Sequence, residues 1–296
     1  MSTNASLAAS VVPAAARRPS RSAWTALWRH RSAQVGGSLL LLILLAALFA
    51  PWLAPQDPLQ VDTSMRLLAP SAAHWLGTDE LGRDVASRII YGARWFVGIG
   101  IATLLLSASL GVALGLIAAM GPRWADLAIS ALNNVLLSFP YVLLVLAVVA
   151  ILGPNLVTAI LAVSIGGVPG YARLVRGEVL RLRSAEYVEA LVALGANRWQ
   201  ITRRAILPNI SSPLIVYASF VTPLSVLAAA SLSFLGLGVQ PPAPEWGAML
   251  VNARNLLRTA WWAACAPGLA IFIAIFSTNL LGNALRDVFD PRSQGR

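Results

Sequence analysis

Lysine is missing from all 296 residues: each of the 22 basic side chains is an arginine. A Walker A loop needs a lysine to reach the nucleotide phosphates, so any ATP this protein uses is hydrolysed on another chain. There is one cysteine, Cys265, which excludes an intrachain disulfide. Its apolar surroundings predict a small buried residue. Charge of either sign is scarce, at 11% against 57% hydrophobic residues, with a mean hydropathy of +0.71. An ordinary soluble domain carries about 25% charged residues. A surface so poor in charge cannot face water, and the chain reads as an all-α polytopic membrane protein. No nucleophile–base pair, metal cluster or phosphate loop stands at a coherent spacing, which leaves an enzyme as the least supported class.

The apolar residues fall into six stretches long enough to cross a hydrocarbon core, which needs about 20 helical residues. They are 35–54, 95–120, 127–152, 155–175, 211–238 and 263–285. Residues 1–34 read as a cytoplasmic tail, with Arg17, Arg18, Arg21, Arg29 and Arg31 and no acid. Further arginines collect at 123, between 173 and 204, and at 286 and 292, while acids balance base in the segment 55–94. The positive-inside rule then puts both termini, the loop 176–210 and the tail 287–296 in the cytoplasm. The segments 55–94 and 239–262 fall outside. A net charge of +10 is read as cytoplasmic loops facing anionic lipid, not as a nucleic-acid surface.

No Asp, Glu, Arg or His lies in the cores of these stretches. Ion-driven carriers generally place a carboxylate or histidine at membrane depth. Here the polar groups are neutral: Ser130, Asn133, Asn134 and Ser138 share one face of the third stretch, and Asn279 and Asn283 one face of the sixth. Interhelical hydrogen bonding explains them, and so does a wet path touched by Asn133, Asn134, Ser138, Asn279 and Asn283. Prolines at 140, 169, 223 and 267 predict kinked or unwound spans.

The cytoplasmic stretch "EYVEALVALGANRWQITRRAILPN" (186–209) is less apolar than its flanks. Tyr187, Leu191 and Leu194 line one helical stripe, and Glu186 and Glu189 sit where a helix dipole favours acids. Gly195 suits a left-handed helix end. Asn197 can cap a second helix, which Pro208 would stop. A DNA-binding helix–turn–helix is excluded by the tethering of both ends to spans within a few residues. A surface connector and a docking element for a cytoplasmic partner both remain.

This stretch resembles the E-A-A…G…I-x-L-P cytoplasmic motif of ABC importer permeases. Glu189, Ala190, Gly195, Leu207 and Pro208 match at the family spacing; Leu191 stands at the second alanine and Ala205 where isoleucine is usual. "HWLGTDELGRDVASRIIYGAR" (74–94), "SLSFLGLGVQPPAPEWGAML" (231–250) and "LGNALRDVFDPR" (281–292) are similar to the C-type permeases of the dipeptide/oligopeptide/nickel branch. The resemblance covers about 35–292. It implies a type I ABC importer permease fold, with the transmembrane domain at 95–286, in a bacterial inner membrane. It further implies a B-type permease partner, two cytoplasmic ATPases that hold the ATP and Mg, and an external solute-binding protein, with no cofactor or metal in this chain. Glu186, Glu189, Ala190, Gly195, Leu207 and Pro208 are the implied ATPase-coupling residues, and peptides, glutathione or nickel chelates the implied cargo.

Outside, Asp79, Glu80, Arg83 and Asp84 are either a salt-bridged helix end or a platform for an external contact. His74 has no second histidine or cysteine near it with which to hold a metal. Trp261 and Trp262 fit an interfacial belt. The rival functions are an ATP-independent secondary carrier and a non-transporting scaffold subunit.

Overall fold

A computed structural model describes Leu27 and residues 29–289. Most of the expected N-terminal tail and the chain end from 290 lie outside those residues. The helices run α1 (Arg31–Leu48), α2 (Ala50–Leu53), α3 (Val85–Met120), α4 (Arg123–Ser138), α5 (Tyr141–Leu152), α6 (Leu156–Arg183), α7 (Glu186–Ala193), α8 (Arg198–Ile201), α9 (Leu207–Phe234), α10 (Trp246–Ala253) and α11 (Trp261–Phe289). Five apolar helical runs are long enough to span: α1, α3, α6, α8 continued into α9, and α11.

The third expected span is not straight. Its two halves, α4 and α5, meet at 97°. Pro140 is the cause. A proline pushes the residue before it out of helical space, and Phe139 sits at φ −85°, ψ 138°. With 16 and 12 residues, the halves are roughly 24 and 18 Å long, so neither crosses a core of about 30 Å alone.

The tightest helix pair is α3 with α6. Gly111 and Gly115 lie one turn apart on α3, and a Cβ on either would run into Tyr171, Ala172 or Val175 of α6. Lacking side chains, they let the two backbones approach, the usual basis of packing where lipid removes the hydrophobic drive. Ser107 Oγ adds a hydrogen bond to the Ser164 carbonyl at 3.1 Å. On the far side α1 crosses α11, and Arg94 of α3 donates from Nε to the Ala47 carbonyl at the end of α1.

Outside the membrane, Asp84 ties the chain into a knot at the start of α3. Its Oδ2 accepts from the Ser87 amide and hydroxyl, each at 2.7 Å, and its Oδ1 lies 3.0 Å from His74 Nδ1. Asp79 accepts from Arg83 Nε at 2.7 Å. Arg83 and Asp84 are buried, which corrects the expectation of an external platform for these two: they hold their own chain together. Asp79 and Glu80 are half-buried, and the Glu80 carbonyl accepts from Arg66 Nε. Trp262 is also buried, and its indole donates to the Thr78 carbonyl, so only Trp261 stays exposed as a belt residue would. Cys265, expected to be buried, is exposed.

The loop 239–262 contains α10, a helix not foreseen from the sequence. Glu245 caps it, accepting from the Gly247 and Ala248 amides at 3.0 and 2.8 Å. Burial pushes the Glu245 carboxyl up, and those two amides pull the other way. The cue was slight, since glutamate is not among the residues usually found at a helix N-cap.

Candidate functional site

Helices α7 and α8 form an elbow between α6 and α9. Gly195, at φ +82°, occupies the left-handed region and closes α7 in a Schellman arrangement. The Gly195 amide donates to the Val192 carbonyl at 2.9 Å and the Ala196 amide to the Leu191 carbonyl at 3.0 Å. Immediately after it, Asn197 and Gln200 complete a reciprocal capping box for α8. Both sides of the bend are therefore fixed, one by backbone–backbone hydrogen bonds and the other by side chains accepting from backbone amides.

One face of the elbow is anchored. Val188, Ile201, Ala205 and Ile206 are buried with Ala119, Val175, Val179 and Leu182, and Leu191 and Ala196 pack against the same cluster. Leu191 thus points inward, not along an exposed stripe with Leu194. The outer face presents Glu186, Glu189 and Ala190, all exposed. With them stand Val192, Leu194 and Trp199, at 57, 84 and 68% exposure. The chain leaves an acidic and apolar tip in solvent beyond a buried base.

Pro208 does not stop the second helix. Residues 198–234 make one helical run of 37 residues, passing through a π turn at Thr202–Ile206. There the Leu207 amide reaches the Thr202 carbonyl, five residues back. The wider turn makes room for a proline ring that would otherwise strike the carbonyl four residues earlier. Asn209 Nδ2 donates to the Ala205 carbonyl and to the Tyr187 hydroxyl, tying this turn to α7. Leu207 is half-buried and Pro208 exposed.

Two arginines overlooked in the sequence weld the elbow to α3. Arg183 donates to the Ala119 carbonyl and Arg198 to the Met120 carbonyl at 3.0 Å. They satisfy orphan carbonyls at a helix C-terminus and complement its dipole. Thr202 Oγ1 lies 3.0 Å from Met120 Sδ. Their one sequence cue was a cluster of bases beside a helix end.

The candidate path residues are dispersed. Asn133 is buried. Asn134 and Ser138 are exposed on α4, and the Ser138 hydroxyl donates to the Asn134 carbonyl at 2.7 Å. Asn279 is half-buried and Asn283 exposed, on the stripe of α11 that also exposes Phe272 and Phe276. Asn133 therefore cannot touch a solute in this conformation, since its own helix packing covers it.

Comparison with known proteins places this geometry. A profile described as the binding-protein-dependent transport system inner membrane component matches residues 111–295. Another, the N-terminal TM domain of oligopeptide transport permease C, matches 18–70. The di/tripeptide transport system permease protein DppC of Pseudomonas aeruginosa (strain UCBPP-PA14) is 42% identical over 280 residues, covering 93% of this chain and 92% of the relative. The glutathione transport system permease protein GsiD of Pectobacterium atrosepticum is 44% identical over 277 residues, covering 93% and 92%. A solved inward-facing MetNI methionine ABC transporter shares the fold, with a TM-score of 0.56 at 20% identity over 68% of this chain and 96% of that one. Relatedness of this depth, running almost end to end, makes the chain a multi-pass inner-membrane C-type permease of the peptide/nickel/glutathione family of ABC importers, with ATP hydrolysis left to separate subunits.

Proposed function

We propose that this permease forms half of the translocation path for a di- or oligopeptide, or a glutathione- or nickel-type solute, beside a B-type permease. An external binding protein delivers the cargo, and two cytoplasmic ATPases drive the cycle. The tip formed by Glu186, Glu189, Ala190, Val192, Leu194 and Trp199 seats one ATPase, and Gly195, Leu207 and Pro208 hold the angle at which it does so. The supporting observation is the elbow itself: an exposed acidic and apolar tip on a bend fixed by reciprocal caps and anchored to α3. Stiffness of that kind suits the transfer of a displacement. Asn134, Ser138, Asn279 and Asn283 offer neutral polar contacts along the path, and Glu80 an outer one.

Reconstitution with both ATPases and the cognate binding protein tests the reading. Vanadate-sensitive uptake of a labelled dipeptide, glutathione or nickel chelate is expected. Vanadate-insensitive uptake would instead favour a secondary carrier, and an assembled complex that moves none of these a scaffold. Orientation has its own test. In a Cys265→Ala background, Leu194→Cys is expected to react with an impermeant maleimide only from the cytoplasmic side. Labelling from outside would overturn the topology.

A further inference from the structure

Arginines crowd the inner half of α6 and the elbow, and most are engaged. Arg176 pairs with Asp126 at 2.5 Å and Arg181 with Glu178 at 2.6 Å, while Arg183 and Arg198 cap α3. Arg173 differs. Among the described residues it joins no ion pair, and its hydrogen bond goes to neutral Asn134 Oδ1 at 3.3 Å. It is exposed. It is also the innermost of the group, roughly 26 Å along α6 from Leu156 by helical rise. An ionised side chain in the last turn of a span either snorkels to the interface or faces protein and water along a solute route, and the bond to Asn134 turns this one toward α4.

The face of α6 that carries Arg173 supports a water-filled setting. The opposite face is the one closed against Gly111 and Gly115 of α3. On the Arg173 side, one residue per turn, stand Gly166, Gly170, Arg173 and Gly177. Outward surfaces of this chain expose large apolar residues such as Leu42, Leu105 and Ile151; this stripe has none. The Tyr141 ring of α5 lies over Gly166, the Tyr217 hydroxyl of α9 lies against Gly170, and nothing approaches Gly177 within 4 Å. The stripe thus faces α5 at Gly166 and α9 at Gly170 and is open at Gly177. Tyr217 is within electrostatic reach of Arg173. A guanidinium, a phenol and the free N–H groups of a carboxamide converge there, all of them donors suited to a carboxylate.

We propose that Arg173, with Tyr217 and Asn134, binds the free carboxylate of the cargo on the inner half of the translocation path. The inference rests on the peptide-type cargo proposed above. A carboxylate held by one cation and two neutral donors is retained against return yet released readily, as conduction requires.

Two arms test it on the assembled complex. In the first, Arg173→Gln lowers vanadate-sensitive dipeptide uptake about tenfold, the scale of one charge-assisted contact, while binding-protein-stimulated ATP turnover persists. Arg173→Lys recovers part of the loss. Asn134→Ala, which removes one neutral donor but keeps the charge, lowers uptake by less than Arg173→Gln does. In the second arm, saturation-transfer NMR on the nucleotide-free complex in nanodiscs, without binding protein, compares a dipeptide with its C-terminal amide. The free acid gives the stronger signal in wild type, and Arg173→Gln removes the difference. Wild-type uptake by Arg173→Gln, an equal loss in Asn134→Ala, or an acid–amide difference that survives Arg173→Gln would overturn the proposal. A wild-type complex that moves no dipeptide would overturn the cargo class instead, and the NMR arm would still decide the site.

Discussion

Gly195→Val is expected to leave the transporter assembled and hydrolysing ATP while its solute uptake falls about tenfold or more, the loss that 1–2 kcal/mol of backbone strain produces when the strained turn sets a rate. No atom lies within 4 Å of the position a Cβ would take, so the substitution meets no clash. Its cost is conformational. An L-residue in the left-handed region is disfavoured by roughly 1–2 kcal/mol, and a β-branched one by more. Relaxing the strain means giving up the Gly195 to Val192 and Ala196 to Leu191 hydrogen bonds, and with them the fixed angle between α7 and α8. Asparagine tolerates this backbone better, so Gly195→Asn is expected to retain an intermediate rate. Copurification of the ATPases, ATP turnover and uptake, measured on the same preparations, check the result. Wild-type uptake in the valine variant would show that the bend transmits nothing.

The second large effect lies at the start of α3. Asp84→Ala removes the cap of α3 and leaves a buried serine hydroxyl and histidine nitrogen without their acceptor. A lost cap costs about 1 kcal/mol and each unsatisfied buried group about 1–3 kcal/mol. The expected destabilisation is on the order of 3 kcal/mol, most of it avoidable only if water enters. Thermal melting of the purified complex in detergent is expected to show a clear drop for Asp84→Ala and little change for Glu80→Ala, whose side chain is half-buried. Equal melting of the two variants would remove Asp84 from the knot.

Hydropathy revealed the spans because the bilayer fixes how many apolar residues a crossing needs. The glycine at the bend was legible for a similar reason: few residues tolerate that backbone angle. The prolines were not. Pro140 breaks its span while Pro169, Pro223 and Pro267 remain inside helices. Those three are buried, whereas Pro140 is exposed. Packed neighbours hold a helix together across a missing hydrogen bond, and α4–α5 lacks them at that point. Pro208 misled in the opposite direction, since only the π turn before it lets the helix continue. The segment 79–84 stayed open between two readings for want of tertiary information: the same spacing serves a solvated helix end and a buried knot, and at Asp84 the contacts from His74 and Ser87 decide for the knot.

The run from Arg198 to Phe234 joins the elbow tip to the strand of loop that leads into α10. Thirty-seven residues at 1.5 Å each make a rod of about 55 Å, longer than the membrane is thick. Ends of one rod cannot be biased independently. If the elbow seats an ATPase and the far end meets a binding protein, as proposed, thermodynamic reciprocity requires that whatever factor nucleotide-bound ATPases impose on affinity at that end, a partner docking there imposes on the ATPases' affinity for nucleotide. Sensing of external cargo and delivery of internal work would be a single equilibrium, observed from two sides of the membrane.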